Sequence, residues 1–157
     1  MLVAAFLFSC AQQPSGSKSV ELVDRYIEAV ESLDFDTMDS LLADDYYGIG
    51  PSYGDSIKKP EAIANLKYSF DNLYQSIDYD RSRNLAVTVP DGPEKGEWVS
   101  NWAELTIVYK DDPKQVRIWA NTVYQIKDGK IVKSMTFYNE ADVLEQLGYV
   151  FINPNDL

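Results

Sequence analysis

The spacing of apolar residues changes once along the chain, and this change limits the possible folds more than any other feature of the sequence. In the first part, apolar residues recur every three or four positions, which indicates amphipathic helices. A first helix is predicted after Ser19, a short helix after Asp34 or Asp36, and a long helix from Pro60. The long helix presents one apolar face, formed by Ile63, Leu66, Phe70, Leu73 and Ile77.

The second part of the chain has the alternating pattern of strands. Strands are predicted at four places separated by turn residues: 84–89, 97–109, 115–126 and 131–138. A short helix over 140–147 then closes the domain. Helices followed by hairpin-connected strands predict an α+β domain, with the helices packed on one side of an antiparallel sheet. This domain is predicted to span residues 19–157.

The predicted strand at 115–126 is apolar on both faces. One face includes Ile118, Ala120, Thr122 and Tyr124, and the other includes Trp119, Asn121 and Val123. Helices on one side of a sheet can cover only one of its faces, so the other face needs a different cover. We therefore predict a homodimer through the outer face of the sheet, built on Ile118, Ala120, Thr122 and Tyr124.

The N-terminal residues predict where in the cell the protein is located. Residues 1–8 are continuously apolar, which is too short to span a bilayer but fits the hydrophobic region of a signal peptide. The ending Leu7-Phe8-Ser9-Cys10 is similar to a bacterial lipobox, in which the Cys is lipidated. We predict a signal peptide at 1–10, a flexible tether at 11–18, and a cell-envelope lipoprotein facing the periplasm or the exterior. The alternative is an apolar N-terminus with a buried Cys10.

Composition excludes several kinds of chemistry. Histidine is absent, so neither a Ser-His-Asp triad nor a Cys-His pair can form, and the commonest transition-metal ligand is missing. The chain has one Cys, which cannot form an intrachain disulfide or a thiolate zinc site. The net charge of −11 repels phosphate backbones, so nucleic acid is not an expected partner. We predict no metal and no cofactor.

Two stretches of the sequence resemble a known family. Residues 25–45, RYIEAVESLDFDTMDSLLADD, are similar to the first two helices of the nuclear transport factor 2-like superfamily, which includes SnoaL-like polyketide cyclases and ketosteroid isomerase. Residues 121–148 are similar to that family's last hairpin and closing helix. The resemblance implies a curved antiparallel sheet wrapped around a long helix. It further implies a cone with an apolar pocket at one end, and dimers formed through the outer face of the sheet.

The resemblance carries over to individual residues only in part. Tyr26 matches the tyrosine of the isomerase oxyanion hole, and Asn121 falls where the acid of that hole is expected. The position of the isomerase base is Gly50, which cannot accept a proton. The position of the cyclase acid is Asn139, with Glu140 and Asp142 beside it. These departures leave no assigned catalytic residue.

We therefore predict a domain that binds a small apolar or aromatic molecule without catalysis. The alternative is a histidine-free acid/base enzyme of the cyclase or isomerase type. The predicted ligand-binding residues are Tyr26, Trp98, Trp102, Trp119, Asn121, Phe137 and Asn139. Simple core packing remains the alternative for Tyr26 and for the three tryptophans. Glu104 is either a buried acid with a raised pKa or a solvated residue at the dimer rim, and a cone filled by its own side chains is a third possibility.

Overall fold

The structure, a computed structural model, describes residues 16–111 and 114–156. Helices and strands follow one another in the order α1 (Ser17–Ser32), α2 (Phe35–Leu41), β1 (Leu42–Ile49), β2 (Ser56–Lys58), α3 (Lys59–Asn72), β3 (Tyr74–Val89), β4 (Gly96–Tyr109), β5 (Gln115–Lys127), β6 (Lys130–Tyr138) and α4 (Glu140–Gln146). A short 3₁₀ turn, Pro154–Asp156, follows. The predicted signal peptide, the lipidation site Cys10 and residues 11–15 of the predicted tether lie outside the described residues.

The strands form one curved, unclosed sheet in the order β2-β1-β6-β5-β4-β3. The β3–β4, β4–β5, β5–β6 and β1–β2 pairs are antiparallel, and β1 lies parallel to β6. This is the predicted α+β architecture. Within the described ranges, no helix is long and apolar enough to cross a membrane.

The helices pack against one face of the sheet, which we call the concave face. Leu22, Val23 and Ile27 of α1 share one buried cluster with residues of four strands. These strand residues are Leu42, Tyr46, Val99, Tyr124, Ile126 and Ile131. A second buried cluster joins Phe70 of α3 to the other end of the sheet. The opposite face, which we call the convex face, is not covered by any of the helices in residues 16–111 and 114–156.

The long helix is shorter than predicted, and the strand after it is longer. Helix α3 ends at Asn72, and β3 begins at Tyr74 rather than at residue 84. Ile77 therefore lies in a strand, where it is buried beside Phe70. The spacing of seven residues between Phe70 and Ile77 fits a continuing helix, so the apolar pattern alone does not show where the helix ends. Strand pairing decides where β3 begins, because β4 extends to Tyr109 and Tyr109 pairs with Tyr74.

The two faces of β5 are the reverse of the prediction. Ile118, Ala120 and Tyr124 are buried on the concave face, while Trp119 lies on the convex face and is 63% exposed. Ile118, Ala120, Thr122 and Tyr124 therefore cannot form the predicted outer interface. The two faces of β5 differ in composition. The concave face is apolar at nearly every position, whereas the convex face also carries Arg117, Asn121 and Gln125. Burying the more apolar face under the chain's own helices removes more apolar area from water.

Candidate ligand cavity

A cavity of about 210 Å³ lies between the helices and the concave face of the sheet. Helices α1 and α3 contribute one wall, and strands β3 to β6 contribute the other. The lining residues are mostly apolar or tyrosine: Tyr26, Val30, Leu66, Ile77, Tyr79, Asn101, Leu105, Ala120, Thr122, Tyr124, Ser134, Thr136 and Tyr138. An apolar cavity with a few convergent polar groups is the common form of a small-molecule site.

Two alanines leave room for this cavity. Ala103 of β4 and Ala120 of β5 are directly opposite each other in the antiparallel register. Both are buried on the concave face. The neighbours of Ala103 on the same face of β4, Asn101 and Leu105, carry larger side chains. Two small residues at one level of the sheet create a depression that the helices do not fill.

The hydroxyls of four tyrosines converge on this region. Burial raises the pKa of Tyr26 well above its ordinary value, and the neighbouring Tyr46 and Tyr79 raise it further. Burial also raises the pKa of Tyr79 to about 12, with a smaller effect from Glu31. The pKa of Tyr124 is raised by burial and then by Tyr79, Tyr26 and Tyr46. These phenols therefore stay protonated at neutral pH and can donate hydrogen bonds.

Most other polar groups of the cavity already have partners within the protein. Tyr46 and Ser134 share a hydrogen bond of 2.6 Å between their hydroxyl oxygens. Thr122 and Thr136 share one of 3.2 Å. The amide of Asn101, which is 2% exposed, donates from Nδ2 to Ser82 Oγ at 2.8 Å. In the part of the chain that the structure describes, the hydroxyls of Tyr26 and Tyr79 donate no hydrogen bond to another residue.

The lining carries no formal charge. No Asp, Glu, Lys or Arg lies among the lining residues within the described ranges. Glu31, an exposed residue of α1 outside the lining, accepts a hydrogen bond of 2.7 Å from the backbone N–H of Tyr79. The described residues also contain no group of three or more potential metal ligands. A general base must reach the proton that it removes, and no carboxylate of the lining is placed to do so.

The predicted ligand-binding residues do not share one site. Tyr26 lines the cavity. Trp102, Trp119 and Phe137 lie on the convex face, where they are 42%, 63% and 54% exposed. Asn121 also lies on that face, and its Nδ2 donates to Ser100 Oγ at 3.0 Å and to the backbone oxygen of Asn101 at 2.8 Å. The prediction that Tyr26, Trp119, Asn121 and Phe137 line one cavity is therefore wrong.

Three other residues of the prediction have structural roles. Trp98 is buried on the convex side, where its Nε1 donates to the backbone oxygen of Glu94 at 2.8 Å. Asn139 caps α4, because its Oδ1 accepts from the backbone N–H of Asp142 at 3.3 Å. Gly50 lies in the turn after β1 and donates its backbone N–H to the oxygen of Asp55 at 3.2 Å. None of the three lines the cavity.

Glu104 is buried rather than solvated. It lies on the convex face with a largely buried side chain, so it is neither in the cavity nor solvated. It forms an ion pair with Arg81 and a second one with Arg117 at 3.8 Å. The guanidinium of Arg81 also stacks over the Trp119 ring, 5.1 Å from its centroid. The charge of Glu104 is therefore neutralised by residues of its own face.

Sequence reasoning missed Asn101, Tyr79 and Tyr124 as cavity residues. The sequence does contain a signal for Asn101, because this residue lies between Val99 and Ala103, two apolar residues on the same face of β4. A buried amide in such a row needs a partner and marks a polar point in the core. Tyr79 could not be found, since the predicted strand began five residues after it.

Comparison with known proteins supports the fold. Residues 23–134 match the family of SnoaL-like domains. The solved structures that are similar to the chain include two proposed polyketide cyclases and an epoxide hydrolase. A polyketide cyclase proposed in Xanthomonas campestris has a TM-score of 0.69 and 17% identity, over 83% of this chain and 97% of its own.

The other two are similarly distant in sequence. IdmH, a polyketide cyclase proposed in Streptomyces antibioticus, has a TM-score of 0.67 and 16% identity, over 85% of this chain and 99% of its own. An epoxide hydrolase of the LEH-like type from M. tuberculosis has a TM-score of 0.64 and 18% identity, over 83% of this chain and 90% of its own. Comparison with curated protein sequences gives no significant match. The match over residues 23–134 covers more than half of the chain, which therefore belongs to the family of SnoaL-like domains.

Proposed function

We propose that this domain binds a small, uncharged molecule in the concave cavity and does not catalyse a reaction on it. The observation that carries this proposal is the cavity lining, in which neutral tyrosine hydroxyls converge and no charged side chain is present among the described residues. Neutral donors in an apolar cavity orient a ligand by hydrogen bonds.

Acid/base turnover would need a group that changes its protonation near neutral pH. The tyrosines of the cavity do not change their protonation near neutral pH, because burial raises their pKa values above the ordinary value for tyrosine. The amide of Asn101 does not titrate. The position of the isomerase base, Gly50, lies in a turn and has no side chain to accept a proton.

The binding proposal is tested with thermal unfolding in the presence of one-ring probes, namely toluene, acetophenone and benzyl alcohol. A ligand of the native state stabilises it by mass action, so at least one probe at saturating concentration is expected to raise the Tm by about 2 °C or more. No shift with any probe, together with no binding by calorimetry, would refute the proposal.

Substitution of Asn101 tests which face of the sheet binds the ligand. Asn101→Leu removes the buried amide of the cavity, whose Nδ2 donates one N–H group to Ser82 and has a second N–H group that a ligand can use. We therefore expect about tenfold weaker binding of acetophenone. Asn121→Leu is the matched control, because this residue is an amide one register position away on the convex face. Its affinity for acetophenone is expected to stay within about twofold. Calorimetric titration measures both, and a larger loss in Asn121→Leu would contradict this placement of the site.

We also propose that a second copy of the chain covers the convex face. Five large side chains on this face are exposed: Leu85, Val87, Trp102, Trp119 and Phe137. Trp102 and Phe137 flank Asn121 in register across β4, β5 and β6, so exposed aromatic side chains lie close together on this face. Glu104 is already paired with Arg81 and Arg117, so apposing two such faces would bury this carboxylate together with its partners.

The dimer prediction is tested with one charge placed at the centre of this face. Phe137→Glu is expected to convert a sedimenting dimer into a monomer at micromolar concentration, because the new carboxylate would be buried without a partner. Tyr68→Glu, on the exposed surface of α3, is the control and is expected to remain dimeric. A wild-type chain that sediments as a monomer at all concentrations would count against the interface.

We further propose that Cys10 carries a lipid and anchors the domain in the cell envelope. The support is the apolar run at 1–8 and its ending Leu7-Phe8-Ser9-Cys10. Labelled palmitate is expected to enter the wild-type chain in bacteria and not Cys10→Ala. Equal labelling of the wild-type chain and Cys10→Ala would contradict lipidation at Cys10 and the proposed location in the cell envelope.

A further inference from the structure

We propose that the C-terminal segment Tyr149–Ile152 of each chain packs into an apolar groove on the convex face of a second copy. Such an exchange rests on the proposed dimer. It specifies the segment that each chain gives to its partner and the relative direction of the two chains. The exposure of the segment, its reach and the charges at the two ends of the sheet support it independently.

The C-terminal segment is a run of large apolar side chains without cover. It follows α4 and belongs to no helix or strand. All four of its side chains are more than half exposed: Tyr149, Val150, Phe151 and Ile152. A single exposed apolar side chain is ordinary, but four in succession indicate a contact with another molecule.

The groove lies on the convex face beside the turn between β3 and β4, and its volume is about 240 Å³. Its lining comes from four strands and this turn: Val87, Val89, Glu94, Trp98, Ser100, Val123 and Met135. Glu94 is paired with Lys133 at 2.7 Å, so its charge has a partner. An engineered protein cavity of about 150 Å³ accepts benzene, so this groove has room for a phenyl ring.

The C-terminal segment is too short to fill the groove of its own chain. The Gln146 side chain holds the end of α4 to the start of β5, because it bonds the backbone N–H and oxygen of Arg117 at 3.0 and 2.9 Å. Tyr149 is fixed at the same place, since its backbone N–H bonds back to α4 at 2.9 Å. Phe151 is two residues further on, at most about 7 Å away. Trp98 of the groove pairs with the β5 residue eight positions beyond Arg117, so it lies about 27 Å along the sheet. A segment that fills the groove must therefore come from another copy.

The sheet end that carries the C-terminal segment also carries an acidic helix. Three carboxylates belong to α4: Glu140, Asp142 and Glu145. Residues 134–157 contain no Lys or Arg. The nearby cations have partners in their own chain, because Lys114 donates to the backbone oxygen of Leu147 at 3.4 Å and Arg117 pairs with Glu104 at 3.8 Å. The carboxylates of α4 can therefore attract cations of a second copy.

The other end of the sheet, beside the groove, is rich in lysine. Three lysines line a neighbouring pocket together with one acid, Asp45: Lys95, Lys127 and Lys133. Lys95 and Lys127 are exposed and form no ion pair within the described ranges. When the strands of the two copies run in opposite directions, the acidic end of each copy lies beside the lysines of the other. Strands in the same direction would place like charges together. The opposed arrangement also places each C-terminal segment over the partner's groove.

Disulfide trapping between two variants tests the exchange. Ile152→Cys and Val123→Cys are each made in Cys10→Ala, which lacks the single native thiol, and are then mixed and oxidised. Because each variant carries one thiol, a covalent dimer of the two reports a segment of one copy against the groove of another. We expect at least about tenfold more of this mixed dimer than from Ile152→Cys with Tyr68→Cys, a control on the exposed surface of α3.

The contribution of the segment to dimer stability is measured by sedimentation. Phe151→Ser removes the phenyl ring from the groove, so we expect the dissociation constant of the dimer to rise at least about tenfold. Tyr68→Ser, which also removes an exposed aromatic ring, is the matched control and is expected to change it by less than about twofold.

The outcomes separate the exchange from the dimer. A wild-type chain that sediments as a monomer at all concentrations would refute the proposed dimer and the exchange with it. A stable dimer with unchanged affinity in Phe151→Ser would overturn the exchange and leave the dimer standing. Mixed disulfides no more abundant than those with Tyr68→Cys would do the same. A disulfide within one chain of the double variant Ile152→Cys/Val123→Cys would show that the segment fills its own groove, which also overturns the exchange.

Discussion

Ala120→Phe is expected to weaken binding of acetophenone by at least about 100-fold. Ala120 lies on the concave face and lines the cavity directly opposite the buried Ala103. A phenyl ring at this position occupies the space that a one-ring ligand would take. Overpacking costs about 1–3 kcal/mol of folding free energy, which a domain of this size tolerates. The binding loss is measured by calorimetry, and circular dichroism checks that the variant is folded.

Val123→Phe is the matched control for this substitution. Val123 lies on the same strand but on the convex side, where it lines a shallow apolar groove with Trp98 and Met135. The same added ring there is expected to leave the affinity for acetophenone within about twofold. Retained binding in Ala120→Phe, or lost binding in Val123→Phe, would show that the ligand does not occupy the concave cavity.

The buried tyrosines predict a steep loss of stability at alkaline pH. Tyr79 has a pKa of about 12 in the folded chain, raised mainly by burial, against its ordinary value of 10.0. Between these values the unfolded chain has released the proton that the folded chain still holds, so stability falls as pH rises. Below pH 10 this contribution is fully present. By pH 12, Tyr79 alone is expected to remove about 2.3 kcal/mol from the free energy of unfolding.

Urea unfolding at pH 8 and at pH 11.5 measures this dependence. Tyr26 and Tyr124 are expected to add to the loss, because their pKa values are raised in the same direction. Tyr79→Phe is expected to flatten the decline by about 2 kcal/mol between the two pH values, whereas the exposed Tyr53→Phe is expected to leave it unchanged. Equal declines in the wild type and Tyr79→Phe would mean that Tyr79 ionises while the chain remains folded.

Local signals in the sequence were sufficient for most of the elements. Asp34 caps α2 as its residue type predicts, and its Oδ1 accepts from the backbone N–H of Thr37 at 3.0 Å. The turn between β5 and β6 has positive φ angles at Asp128 and Gly129, which is what a two-residue Asp-Gly hairpin requires. Such features depend on neighbouring residues only, so they can be read without knowledge of the fold.

The site could not be predicted in the same way, because it depends on which face of each strand meets the helices. In β4 both faces carry apolar residues, with Val99 and Ala103 on one and Trp98 and Trp102 on the other. Local periodicity does not distinguish the two assignments. The resemblance to the family directed attention to Asn121, but the register places Asn101, beside it on β4, in the buried row. A shift of one residue along a strand moves a side chain to the opposite face. The predicted dimer interface was likewise assigned to the wrong face of β5.

Intermolecular nuclear Overhauser effects between acetophenone and the protein test the central claim most directly. We expect contacts from the ligand ring to the methyl group of Ala120 and to the ring protons of Tyr26 and Tyr79. All three residues line the concave cavity. Contacts to the indole protons of Trp102 or Trp119 instead, with none to Ala120, would place the ligand on the convex face and contradict the account.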